Sequence, residues 1–193
     1  MSEPNYVKLL VIGPTKSGKT AISNYLAEFQ ETPSPDYRAT AGCRVLEFER
    51  EIPSTKDKRG VLKVNVELWD CAGDRKYESC WSAMARDANG LVFVFNPDMK
   101  GHEKEVELWY KWFGELKPQQ CVSFAHASQP QLRAGGAGKN VEGNKLAGKI
   151  PHKQTSLDQD PQLIRQEFDQ YLTRLITFMI TARDKEEAEI LKT

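Results

Sequence analysis

What most constrains this chain is the run GPTKSGKT at residues 13–20, set between the apolar stretch YVKLLVI and the segment AISNYLAEF. It matches G-x-x-x-x-G-K-[ST], in which glycines let the backbone turn so that successive N–H groups face a phosphate at the start of a helix. Such a loop works only between a buried strand and a helix, and both flanks meet that demand. Residues 7–12 are almost continuously apolar, as in a parallel strand covered on both faces, and from Gly18 onward Ile22, Tyr25, Leu26 and Phe29 share one side of a helix. Gly13, Pro14, Thr15, Lys16, Ser17 and Gly18 are therefore candidates for a phosphate loop. Lys19 is the cation for the β- and γ-phosphates, and Thr20 offers a hydroxyl to Mg²⁺, a hard ion that prefers oxygen.

Strands and helices alternate through the remainder. CRVLEFERE (43–51) and VLKVNVELWD (61–70) have a period of two around IPSTKDKRG, whose proline, charges and glycine suit a hairpin loop. GLVFVFN (90–96) and QCVSFAH (120–126) are further core strands. Between them Val106, Trp109, Tyr110 and Phe113 recur at helical spacing, a stripe that faces a core rather than a ligand. Asp160 followed by Pro161 signals a helix start, and a long helix is expected from Leu163 to about Glu187, with Ile164, Phe168, Tyr171, Leu175 and Phe178 inward. The pattern predicts an α/β layer fold with helices on both faces of a sheet. One domain is expected over 1–185, with a mobile glycine-rich loop at 130–149 and a charged tail at 186–193.

Lys plus Arg equals Asp plus Glu at 27 each, so no net field draws the chain to nucleic acid or an anionic membrane, and no nucleic-acid partner is expected. The cysteines, Cys43, Cys71, Cys80 and Cys121, show neither C-x-x-C nor metal-site spacing and are expected to be reduced thiols in a cytoplasmic protein. No apolar run approaches the roughly 20 residues that span a bilayer. Ser2 stands where a myristoylation signal requires glycine, and EILKT offers no cysteine to prenylate, so no direct lipid anchor is expected.

Two more segments complete the phosphate motif. WDCAG (69–73) ends a strand with Asp70, which can hold Mg²⁺, and Gly73, whose N–H can meet a γ-phosphate. YRATAG (37–42) offers Thr40 as a second hydroxyl for the metal. In this order and spacing the three segments resemble the phosphate loop and the two switches of small GTPases of the Ras and Rab type. The resemblance runs from about residue 6 to about 126 and resumes in the last helix. With CRVLEFE, ELWDCAGDRKYESCW, FVFNPD and ELWYKWF added, the chain resembles in particular the Rab-like GTPase subunits of the intraflagellar transport B complex. That resemblance implies a Ras-like P-loop NTPase fold, with a mostly parallel six-stranded sheet, one antiparallel strand and helices on both faces. It also implies GTP or GDP with Mg²⁺, a seat in a hetero-oligomer on a coiled-coil pair of transport subunits, and a place in the cytoplasm and in the cilium or flagellum and its base.

Three positions depart from the family. Asp74 follows Gly73 where active members carry the glutamine that orients the attacking water. A carboxylate cannot donate that hydrogen bond and repels the γ-phosphate, so slow hydrolysis is expected. Arg38 is a candidate cis arginine to offset this, although a solvent-facing role is the simpler reading. The guanine motif N-K-x-D is replaced by His126, Ala127, Ser128 and Gln129; Gln129 can pair with a base but lacks the charge that strengthens the bond. The counterpart of the last base motif is nearest in Gln154, Thr155, Ser156 and Leu157, with Ser156 as its candidate. A nucleotide-dependent assembly switch, a structural adaptor with fixed nucleotide and a P-loop phosphotransferase are the three readings. The third needs an arginine-bearing lid over the phosphates, whereas the glycine-rich loop follows the fifth strand, near the expected base.

Overall fold

The strands are β1 (Tyr6–Ile12), β2 (Cys43–Pro53), β3 (Val61–Cys71), β4 (Gly90–Phe95), β5 (Cys121–His126) and β6 (His152–Thr155), and the helices are α1 (Lys19–Leu26), α2 (Trp81–Ala85), α3 (His102–Trp112) and α4 (Pro161–Ile190). The structure is a computed structural model that describes residues 5–30, 37–54, 60–113, 116–127 and 149–190. The strands form one six-stranded sheet in the order β2-β3-β1-β4-β5-β6. Only β2 and β3 are antiparallel, in register from Cys43 opposite Cys71 to Pro53 opposite Val61; the other neighbours are parallel.

Strand composition explains this order. β4 and β5 are buried at every residue and β1 at all but Tyr6, as strands covered on both faces must be. β2 alternates between covered and exposed positions from Arg44 on, which suits an edge. On one face α1 and α4 cover Leu9, Val11, Val66, Leu68, Val94 and Phe124 with Ile22, Leu26, Phe168 and Leu172. On the other α2 and α3 cover Leu10, Ile12, Phe93 and Phe95. Trp81 and Met84 on α2 are buried there, with the Trp81 and Trp109 rings 4.0 Å apart, so they belong to the core. Phe168 is fully buried, and truncation to alanine there costs about 3–5 kcal/mol.

Several boundaries differ from the sequence expectation. Phe29 is not on the inner stripe of α1: the helix ends at Leu26, Glu28 adopts a left-handed φ of 56°, and Phe29 is 71% exposed. Asp160 caps α4 as expected, its Oδ1 accepting from the Leu163 N–H at 3.1 Å. The helix runs through Ile190, so the charged residues 186–190 are helical, and Phe178 is half-buried. β6 has the sequence HKQT, too short and polar for a hydrophobic pattern to find; pairing with β5 forms it. The glycine-rich stretch lies, except for Lys149, outside the described residues. Among the described residues no helix is long and apolar enough to cross a membrane.

Because β1, β3, β4 and β5 run parallel, the loops leaving their carboxyl ends gather at one edge of the sheet, where ligands of open α/β sheets bind.

Candidate nucleotide and magnesium site

A cavity of about 730 Å³ opens at that edge. Residues Thr15 to Ala21 line its floor, Tyr37 to Thr40 one wall, Gly73, Asp74 and Lys76 another, and His126, Leu157 and Asp158 the far end. Residues from distant parts of the sequence therefore converge on one concave space large enough for a nucleotide.

The loop at its floor is organised by Lys19. The Lys19 ammonium donates to the carbonyls of Gly13 at 3.0 Å and Pro14 at 2.5 Å, and lies 3.4 Å from Ser17 Oγ. Bending the loop around its own lysine turns N–H groups outward, toward the space a phosphate would fill. Burial lowers the Lys19 pKa to about 8, with Asp70 the largest opposing influence. Gly18 sits at a left-handed φ of 92°, and a Cβ there would collide with the imidazole of His126. A Cβ on Gly73 would likewise collide with the backbone of Gly13, Pro14 and Thr15. The segment after β3 is thus pressed against the phosphate loop, where its N–H is available to the same ligand.

The three expected metal ligands meet. Thr20 Oγ1 donates to Asp70 Oδ2 at 2.8 Å, Thr40 Oγ1 lies 2.9 Å from Thr20 Oγ1, and Thr40 Oγ1 is 3.5 Å from Asp70 Oδ2. Asp70 is fully buried, and its other oxygen, Oδ1, has no hydrogen-bond partner among the described residues. Burial pushes the Asp70 carboxyl above its ordinary range, against the opposing pull of Thr20 and Arg44. Two hydroxyls and one buried carboxylate with an unpartnered oxygen make a donor set that fits a hard cation sharing its shell with phosphate and water. All of these donors are oxygens, which suits a hard cation such as Mg²⁺ better than a softer metal.

Sequence reasoning missed Arg44 and Asn24. Arg44 Nε donates to Asp70 Oδ2 at 3.3 Å, and its Nη2 donates to Asn24 Oδ1 at 2.7 Å. A signal was available: Arg44, Leu46, Phe48, Arg50 and Ile52 occupy alternate positions of β2, so the two arginines share the face of an apolar series and need partners. Arg50 finds Asp169 at 3.0 Å, and Arg44 finds Asp70.

Around the mouth, Lys16 Nζ lies 5.6 Å from the Tyr37 ring centroid, within cation–π range. Arg38 is exposed and lines the cavity. Asp74 caps the 3₁₀ turn Arg75–Cys80, accepting from the Lys76 N–H at 3.0 Å and pairing with its ammonium at 3.0 Å. These contacts, the backbone one largest, hold the Asp74 carboxyl below the usual carboxylate range.

The far end matches expectation less closely. His126 is buried against Gly18, its Nδ1 lies 3.4 Å from Thr155 Oγ1, and burial lowers its pKa to about 4. It is a neutral packing group as well as a cavity wall. Ser156 is buried without a hydrogen-bond partner for its hydroxyl among the described residues, while the side chains beyond it, Leu157 and Asp158, line the cavity. Asp158 was not anticipated, because the expected motif stops one residue short of it. Gln129 lies outside the described residues.

Comparison with known proteins identifies the family. The family model described as "Ras of Complex, Roc, domain of DAPkinase" matches residues 8–127. An intraflagellar transport protein 22 homolog from Danio rerio is 39% identical over 191 residues, covering 96% of this chain and 98% of its own. A GTP-bound crystal structure of T. brucei IFT22/74/81 contains a chain 33% identical, with a TM-score of 0.70 over 92% of this chain and 98% of that one. A GDP-bound crystal structure of T. brucei IFT22 is 34% identical with a TM-score of 0.64 and the same coverage. The chain belongs to the intraflagellar transport protein 22 family of Rab-like, Ras-type P-loop GTPases.

Proposed function

We propose that the cavity binds GTP or GDP with Mg²⁺, and that the protein serves as a nucleotide-dependent subunit of the intraflagellar transport B complex. The observation that carries this reading is the meeting of Thr20, Thr40 and Asp70 from three separate segments beside the buried Lys19 ammonium. Lys19 and the N–H groups of residues 15–20 hold the β- and γ-phosphates, while Thr20, Thr40 and Asp70 hold the metal, which when bound neutralises phosphate charge. Thr40 and Gly73 come from the two switch-like segments, so a ligand held by both keeps them together and its loss lets them part. At the far end Asp158 supplies the carboxylate that the missing N-K-x-D motif would have supplied, beside His126 and Leu157.

The relative solved as IFT22/74/81 supports a seat beside partner subunits. We infer that these are a coiled-coil pair, and that the protein works in the cytoplasm and at the cilium or flagellum and its base. Mass analysis of nucleotide released from purified protein tests the ligand: GTP or GDP is expected, and ATP or nothing sinks the reading. Partner affinity is then compared with a GTP analogue and with GDP. Equal affinities would remove the switch and leave the second reading, an adaptor with fixed nucleotide, which the anionic Asp74 in place of glutamine favours.

A further inference from the structure

Cys43 and Cys71 occupy directly opposed positions at the end of the β2–β3 hairpin where the switch-like segments leave it. Their sulfurs are 3.9 Å apart. The next ladder bond is from the Ala72 N–H to the Gly42 carbonyl at 2.8 Å, one residue outside each cysteine. That pattern makes Cys43 and Cys71 a non-hydrogen-bonded pair, the antiparallel position whose Cα atoms stand about 4.5 Å apart with side chains closest. This falls inside the roughly 4.4–6.8 Å range that a disulfide bridges. Cys43 is half-buried and reachable from solvent, Cys71 is buried behind it, and both are free thiols.

We propose that Cys43 and Cys71 form a reversible disulfide that ties the first switch-like segment to the second. The chemical class of the oxidant is a low-molecular-weight disulfide such as oxidised glutathione. Cys43 sulfur attacks one sulfur of that disulfide, forming a mixed disulfide and releasing one glutathione thiol. Cys71 sulfur then displaces the second glutathione. Two protein thiols and one glutathione disulfide become one protein disulfide and two glutathione thiols; the two electrons and the two protons leave with the glutathione. No other co-reactant is needed.

The position gives the bond a consequence. Thr40 is three residues before Cys43 and Gly73 two residues after Cys71, so the hairpin end is the point from which both segments diverge. A covalent tie there holds the Gly42–Ala72 hydrogen bond closed and limits how far Thr40 and Gly73 separate. Oxidised protein would then keep its switch-like segments joined after the ligand that joins them has gone. This consequence, unlike the bond itself, rests on the nucleotide reading above.

The purified full chain is equilibrated with a series of oxidised-to-reduced glutathione ratios, alkylated, and its peptides mapped by mass. A Cys43–Cys71 linked peptide is expected, reversed by reductant, while exposed Cys80 carries glutathione and buried Cys121 stays a thiol. Recovery of Cys43 and Cys71 as separate thiols at ratios that modify Cys80, or of Cys43 stopped at the glutathione adduct, would overturn the proposal. Hydrogen exchange with GDP bound gives the second readout: residues 37–42 should exchange about tenfold more slowly in oxidised than in reduced protein. Cys43→Ser, at a half-buried site, should abolish the difference. Identical exchange in the two forms would remove the clamp. Peptide mapping needs no nucleotide, so failure of the bond and failure of the nucleotide reading are separable.

Discussion

At the phosphate end of the cavity the groups come from one run of eight residues and from segments at the ends of two adjacent strands, whereas at the far end they come from the last residue of β5 and the loop beyond β6. On the function proposed above, the first end holds its ligand largely through backbone N–H groups, which can be aimed only by particular residues at particular spacings: Gly18 where φ is 92°, Gly73 where the chains touch, Lys19 where the loop must be drawn together. On the same reading the second works through side-chain acceptors, and a carboxylate serves equally well from any loop that reaches the same point. Backbone recognition leaves a motif in the sequence; side-chain recognition leaves a contact in space.

The sharpest way to break this comparison is Lys19→Ala. Removing one partner of a buried, hydrogen-bonded charge pair costs about 4 kcal/mol, or roughly a thousandfold in affinity. Titration with a fluescently labelled GDP measures it, and a loss below about tenfold would mean that the loop holds phosphate without its lysine. The wild-type protein should also show a pH dependence of fixed sign. Burial sets the Lys19 pKa to about 8 in the free protein, and phosphate favours the charged form, so binding takes up a proton above that value. Affinity should hold below about pH 8 and fall as pH rises beyond it.

His126 joins the two ends, since its ring packs on Gly18 and lines the far wall. Burial lowers its pKa from 6.5 to about 4, so the folded protein keeps it neutral where the unfolded chain takes a proton. Above pH 6.5 this contribution to stability is fully present; as pH falls from 6.5 toward 4 it declines by about 3 kcal/mol. Urea unfolding at neutral and acid pH should show that loss, and His126→Gln should flatten it. An equal acid slope in the variant would show that other groups carry it.

The same contrast explains what the sequence revealed. The sheet's buried strands were legible because β1, β4 and β5 are nearly continuous apolar runs, and the meeting of Thr20, Thr40 and Asp70 because their three segments follow a family's order and spacing. β6 was not, because HKQT takes its strand form from pairing with β5 rather than from any pattern of its own. Asp158 was missed because the expected motif ends one residue before it, at Leu157, and Phe29 was misplaced because helical periodicity does not announce the left-handed turn at Glu28 that ends α1. Arg44 was legible in principle, as a charge on the inward side of an alternating strand.

Asp158→Asn sharpens the far end. It keeps shape and one acceptor but removes the charge that strengthens hydrogen bonds from a guanine, so the preference for GTP over ATP should fall about tenfold while ATP affinity stays the same. Competition titration of the two nucleotides measures the ratio. An unchanged ratio would move the base-reading carboxylate to another segment and leave Asp158 as a solvated wall.

An effect no larger than that is expected at Asp74, where the two ends no longer matter and only the place of the γ-phosphate does. Its carboxylate is held by the Lys76 N–H and ammonium, facing the turn it caps. Replacing it with glutamine removes a negative charge beside the γ-phosphate and adds an amide long enough to orient water, and should raise single-turnover GTP hydrolysis about tenfold. Asp74→Asn separates the two causes. Asparagine caps the turn as well as aspartate does and also lacks the charge, but its amide is one methylene shorter. If glutamine alone speeds the reaction, reach toward the water is what the wild-type chain lacks. If both do, repulsion by the carboxylate is the cause, and Asp74 acts by its charge on a phosphate that the rest of the loop is built to hold.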